Sequence, residues 1–190
     1  MTAPHDGGVQ RSTLEQRVAR LESIAEIADL PQRYAQAYAA LDVDAISELY
    51  DEEAEASPGR TGRDAWRDRF AAGSSTDDGV RLAMLFVGSH VVELDGEEPD
   101  RATGRVLCHG EVERGGGAWF HQAIHYGDRY VRRDGGWRFA RHRHHELLYG
   151  AEPGTRPNDL DPADWPERDV GRGTVPQRWS TWQRFHAEGD

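Results

Sequence analysis

Apolar residues recur at helical spacing from the start of the patterned chain: Leu14, Val18, Leu21, Ile24, Ile27 and Leu30, with charged residues between them. A repeat of three and four predicts an amphipathic helix with one face meant for a core. Ser12 or Thr13 serves as its N-cap, and Gln16 stands three residues after Thr13, as a capping box requires. Pro31 falls where a second helical stretch, Gln32 to Leu41, begins; a proline there marks a kink or a new first turn. Val43 to Tyr50 reads as a third, short helix with Asp42 or Asp44 at its N-cap. Ser57-Pro58-Gly59 is a turn, a helix follows around Arg63–Ala71, and Gly73–Gly79 is a polar loop.

The period then changes. Arg81–Leu94, Ala102–Arg114, Ala118–Arg132 and Trp137–Leu148 are strand-like runs, divided by Asp95-Gly96, Gly115-Gly116-Gly117 and Asp134-Gly135-Gly136. Asp-Gly and Gly-Gly between β-rich runs are hairpin signals. Helices first and an antiparallel meander afterwards predict an α+β fold, not alternating α/β. Residues 1–12 are polar and predict a disordered leader, and residues 13–150 form one domain. Residues 151–190 hold five of the nine prolines and three of the six tryptophans, Trp165, Trp179 and Trp182. So many large aromatics predict an extended arm packed on the domain or on a neighbouring subunit, hence a homo-oligomer.

Composition narrows the chemistry. With 34 acidic residues against 23 basic ones the net charge is −11, a field that repels phosphate backbones and excludes nucleic acid as a partner. Every basic residue is arginine. Without lysine there is no Schiff-base catalysis, no covalent pyridoxal phosphate and no Walker-type phosphate loop. Cys108 is the only cysteine, so no disulfide forms within the chain. No apolar run approaches the roughly 20 residues that span a bilayer, and Met1 to Arg11 lacks the apolar centre of a signal peptide. These features predict a cytoplasmic protein with no membrane partner.

Two segments carry a resemblance. The run RYAQAYAALDVDAISELY (Arg33–Tyr50) and the hairpin GDRYVRRDGGWRFARHR (Gly127–Arg143) resemble the SnoaL-like branch of the nuclear-transport-factor-2-like superfamily, over about residues 20–150. The resemblance implies a cone in which N-terminal helices pack against a curved antiparallel sheet and enclose a small-molecule pocket. That fold hosts dehydratases, isomerases, a dehydrochlorinase, polyketide cyclases, dioxygenase β-subunits and proteins with no chemistry, so function must come from the site. The dehydratase and dehydrochlorinase branches pair a strand histidine with a late-helix aspartate. In this chain Leu85 and Ala39 take those places, and neither moves a proton. His90, five residues beyond Leu85, faces the opposite side by strict alternation.

A histidine cluster offers a replacement. Setting Arg133 opposite Gly136 places His125 across from His144, Gly127 across from His142 and His121 across from Leu148. Alternation then gathers His121, His125, His142, His144 and Glu146 on one face, and the resemblance implies that this face, with Cys108, points into the cone. Tyr126 and Asp128 take the other face and read as structural hydrogen-bonding groups. Paired imidazoles favour one neutral, proton-accepting ring. The expected chemistry is a cofactor-independent lyase or isomerase acting on a hydrophobic, carbonyl-bearing small molecule. His125 or His144 would be the base, the other ring or His142 the acid, Glu146 the orienting carboxylate and Tyr38 the oxyanion donor. Tyr34, Trp66, Leu85, Cys108 and His121 would line the pocket.

Other readings stay open on the same residues. Cross-strand histidines also serve as a polar sheet surface or a subunit interface, and three imidazoles with a glutamate suit a transition metal, although no metal-ligand spacing is recognisable. Trp66 and Cys108 equally fit a core. The absence of the acid–base pair at Ala39 and Leu85 favours a non-catalytic binding or assembly protein. A dioxygenase β-subunit, which needs a large partner, is a third reading.

Overall fold

Thr13 closes the N-terminus of α1 (Leu14–Ala39) with a capping box: its hydroxyl accepts the Gln16 N–H at 3.2 Å while the Gln16 carboxamide accepts the Thr13 N–H at 2.9 Å. The computed structural model describes residues 12–75, 77–141, 144–155, 160–163, 168, 170–175 and 177–187. The helix runs through Pro31 as one element. Ile27, Leu30, Tyr34 and Ala37 form its buried stripe, whereas Leu14, Val18 and Leu21, on the same period, are exposed because none of the described residues covers the first turns. Leu41 takes a left-handed conformation, and Asp42 then caps α2 (Val43–Ser47) by accepting the Ala45 N–H at 2.9 Å. A small hairpin that the pattern did not predict, β1 (Glu55–Ser57) with β2 (Arg60–Thr61), leads into α3 (Gly62–Ser75).

The remaining strands are β3 (Val80–Leu94), β4 (Arg101–Arg114), β5 (Trp119–Arg133), β6 (Gly136–Phe139), β7 (His144–Ala151) and β8 (Gly171–Arg172). They form one six-stranded antiparallel sheet in the order β3-β4-β5-β7-β8, with β6 also on β5. The helices α1, α2 and α3 pack on one face, giving the α+β cone that the resemblance implies. Alternation sends Ala102, Val106, Cys108, Ile124, Tyr126 and Tyr130 under the helices and leaves Arg105, Leu107, Trp119 and Arg129 on the outer face.

Register shifts interrupt that alternation at several points, and two of them decide the placement of the histidines. In β3, Val87 pairs with Cys108 and His90 with Val106, so Gly88 and Ser89 together stand opposite Leu107. This bulge reverses the phase: Leu85 and Val87 point inward before it, and His90, Val92 and Leu94 point inward after it. His90 therefore faces the helices, contrary to strict alternation.

The second irregularity splits the last predicted strand into β6 and β7. Strand β6 keeps the expected register, Arg133 with Gly136 and Tyr130 with Phe139. Its outer edge is held by Leu49 and Asp51, which exchange backbone hydrogen bonds with Phe139 at 2.9 Å each. Beyond it, β7 resumes two residues out of step, with Gly127 opposite His144 and His125 opposite Glu146.

The chain after β7 returns along that strand's free edge. Strand β8 pairs Arg172 with Tyr149 and Gly171 with Gly150, and the Gly173 N–H donates to the Leu148 carbonyl at 2.9 Å. Val175 is buried, and α4 (Ser180–Ala187) follows Trp179.

In the β3–β4 turn the Asp95 carboxylate accepts the N–H groups of Glu98, at 3.0 Å, and Glu97, at 2.8 Å, which hold its pKa below the ordinary 3.8. A lowered folded-state pKa gives stability that is present above 3.8 and lost as pH falls through the folded value. Asp95→Ala is therefore expected to melt below the parent at neutral pH, with the gap narrowing in acid. Thermal unfolding at pH 7 and below pH 3.8 checks this.

Candidate functional site

Three side chains from two strands, β3 and β5, meet beneath the helices. Asp128 and Tyr130 lie two apart on β5, so both point inward, and they are only 2% and 1% exposed. Tyr130 Oη donates to Asp128 Oδ2 at 2.9 Å, and His90 Nε2 lies 3.1 Å from the same phenol oxygen. A phenol has one proton. With it committed to Asp128, the oxygen accepts from His90, which assigns the Nε2–H tautomer and leaves Nδ1 as the basic nitrogen. The chain Asp128–Tyr130–His90 thus connects a deeply buried carboxylate to an imidazole. If Nδ1 takes a proton, the imidazolium is stabilised along that chain.

A glycine makes the meeting possible. Gly104 on β4 stands opposite Asp128, and a Cβ there would lie 2.8 Å from His90 Nε2 and 2.8 Å from Tyr130 Oη. Only a bare backbone leaves room for the two side chains to meet.

The surroundings are apolar and aromatic. Val106, Cys108, Ile124, Tyr126 and Leu147 form one buried cluster, with Leu85 and Val87 packed against it. Tyr126 meets the His145 ring with centroids 4.9 Å apart. On the helix side Tyr34 and Tyr38 stack at 5.7 Å, Phe70 sits against both, and Phe139 packs on Tyr34 and Tyr130.

The residues singled out from sequence divide between the two faces of the sheet. Tyr34, Tyr38, Leu85 and Cys108 lie on the inner side, Cys108 as a buried member of the apolar cluster. Trp66 is enclosed in the core, stacked on Tyr50 with centroids 4.0 Å apart. His121, His125 and Glu146 lie on the outer face, so the expectation that this set points into the cone is corrected. The helices cover the face of Tyr126, Asp128 and Tyr130, and alternation puts the other set outside. The pairing is corrected too. The two-residue shift at β7 gives His125 Glu146 as its partner, with Nδ1 and Oε2 at 3.0 Å, and places His144 opposite Gly127. Trp179 covers His125, with ring centroids 5.1 Å apart. His142 lies outside the described residues.

Sequence reasoning passed over His90, Tyr130 and Asp128 as chemistry. A signal was available: Gly88-Ser89 inside a strand-like run marks a bulge, and a bulge before His90 turns it to the side of Leu85. Gly104→Ala is expected to destabilise the fold by about 1–3 kcal/mol through overpacking and to separate His90 from Tyr130. Thermal unfolding, with the His90 imidazole followed by NMR, checks both effects.

Known structures share this architecture. A hexachlorocyclohexane dehydrochlorinase, LinA type 2, superposes with a TM-score of 0.61 at 20% identity, over 73% of this chain and 99% of that one. The LinA-type3 dehydrochlorinase of Novosphingobium barchaimii gives 0.62 at 18% identity, covering 74% and 97%. A protein assigned as a scytalone dehydratase, from Novosphingobium aromaticivorans, gives 0.60 at 17% identity, covering 74% and 93%. At these identities the likeness is one of fold. No curated protein matches the sequence. The model of the SnoaL-like domain matches residues 19–143, well over half of the chain, and this protein belongs to that family.

Proposed function

We propose that this SnoaL-like protein is a cofactor-independent lyase or isomerase that moves a proton next to the carbonyl of a hydrophobic small molecule, with His90 as the general base. The supporting observation is the hydrogen-bonded chain from Asp128 through Tyr130 to His90 on the helix-covered face. In this reading the substrate's carbonyl lies between His90 and the Tyr34/Tyr38 pair. His90 Nδ1 takes the α-proton, Tyr130 and Asp128 stabilise the imidazolium, and the Tyr38 hydroxyl donates to the enolate oxygen. The electron pair then expels a β-substituent or is reprotonated one carbon on. The names of the neighbours, a dehydrochlorinase and a dehydratase, both describe loss of a small molecule. In this mechanism His90 takes over the part that sequence reasoning gave to His125 and His144.

A second reading has its own observation. Leu85 points inward and Ala39 ends α1, so the two positions where related enzymes hold an acid–base pair carry no titratable group. This favours a protein that binds its ligand without turning it over.

Deuterium exchange at the α-carbon separates the two. With a panel of steroid and aromatic ketones in D₂O, the parent is expected to catalyse exchange seen by NMR. His90→Ala should slow it by about 10²–10⁴, and His125→Ala should leave it unchanged. A ketone that binds the parent without exchange establishes the binding reading instead.

We also propose a homo-oligomer in the cytoplasm. Leu14, Val18 and Leu21 on α1, and Leu82, Met84, Phe86, Leu107 and Trp119 on the outer sheet face, are large exposed apolar side chains that a second copy would cover. Among the described residues no helix is long and apolar enough to cross a membrane. Light scattering at micromolar concentration is expected to give a multiple of the chain mass; a monomeric mass overturns the assembly.

A further inference from the structure

The outer face of the sheet carries a second cluster, separate from the inner relay. His109 and Glu111 lie two apart on β4 and so share a face, and His121 on β5 stands directly opposite Glu111. One ligand atom from each of the three lies within 4.8 Å of the others, and all three side chains are half-buried. The imidazoles of His109 and His121 have centroids 5.6 Å apart.

We propose that His109, Glu111 and His121 bind a divalent transition metal of the zinc class. Two imidazoles and one carboxylate form a donor set that suits Zn²⁺, Co²⁺, Ni²⁺ and Fe²⁺ over Mg²⁺ or Ca²⁺. Tetrahedral Zn²⁺ with bonds of about 2.0–2.1 Å needs ligand atoms roughly 3.3 Å apart. Side-chain rotation closes the difference from the observed spread while two hydrogen-bonded strands hold the Cα positions.

The surrounding groups fit the role. The Trp119 indole N–H donates to Glu111 Oε2 at 3.2 Å, which orients the carboxylate and leaves Oε1 for the ion. Tyr149 packs edge-on against His121 with centroids 6.0 Å apart, and Phe86 lies 6.3 Å from His109. Three protein ligands leave a coordination position for water or another group. His109 and Glu111 are two apart on β4, and the third ligand, His121, comes from the neighbouring strand β5, so the full set does not appear as one contiguous motif in the sequence. The net charge of −11 favours capture of a cation.

The test uses the full-length protein after chelator treatment, titrated with Zn²⁺ by calorimetry and with Co²⁺ by absorption and NMR. One equivalent is expected to bind with micromolar or tighter affinity and to raise the melting temperature. Co²⁺ should broaden the His109 and His121 ring resonances before that of His90. Glu111→Gln and His121→Asn should each weaken binding at least tenfold while the circular dichroism of the parent is kept. His125→Asn, outside the trio, should bind as the parent does. Absence of saturable binding, or affinity unchanged in both Glu111→Gln and His121→Asn, overturns the site. Broadening confined to other histidines does the same.

Discussion

The helices α1, α2 and α3 cover one face of the sheet, and the role of nearly every side chain on β3, β4, β5 and β7 follows from that. A strand has only two sides, so covering one of them sorts each residue by parity into core or surface. The cover is anchored by aromatic contacts in which Tyr34, Tyr50, Trp66, Phe70 and Phe139 interlock beneath α1, α2 and α3. Aromatic pairs of this kind contribute about 0.5–1.5 kcal/mol beyond the area they bury. Phe139 matters twice: its ring closes the core, and its backbone ties the sheet to the segment after α2.

The same division gives the histidines two different settings. Inside, His90 is joined through Tyr130 to a carboxylate almost sealed from water, and a charge at that depth is tolerable only with hydrogen bonds to hold it. Outside, His125 meets Glu146 directly under Trp179, with the two side chains 13% and 19% exposed. In the proposed function the inner arrangement moves a proton to and from a bound molecule. The outer one is suited to fastening β5, β7 and the C-terminal segment together. The His109, Glu111 and His121 group is further along the same outer face.

The C-terminal segment adds to this frame. By pairing β8 with β7 it turns an edge strand into an interior one over a short stretch and places Trp179 over His125. A cavity of 240 Å³ remains where it crosses β7, lined by His145, Glu146 and Arg178 among others. Its lining residue His145 packs on Tyr126, with ring centroids 4.9 Å apart.

Local chemistry was legible in the sequence wherever the physics is local. The capping box at Thr13 and Gln16, the Asp42 cap, the hairpin turns at Asp95-Gly96 and Asp134-Gly135, and the α+β order each depend on residues a few positions apart. The motifs at Arg33–Tyr50 and Gly127–Arg143 carried the family. Alternation also grouped His121, His125 and Glu146 correctly, because a shift of two residues preserves parity. Tertiary structure decided which face is inside, since parity sorts residues into two sets without saying which set the helices will cover. It decided the partner of His125, because Leu49 and Asp51 hold β6 and the register resumes two residues later. It also decided the place of His90: one extra residue between Val87 and His90, packed against Leu107, turns the imidazole toward Tyr130 and Asp128.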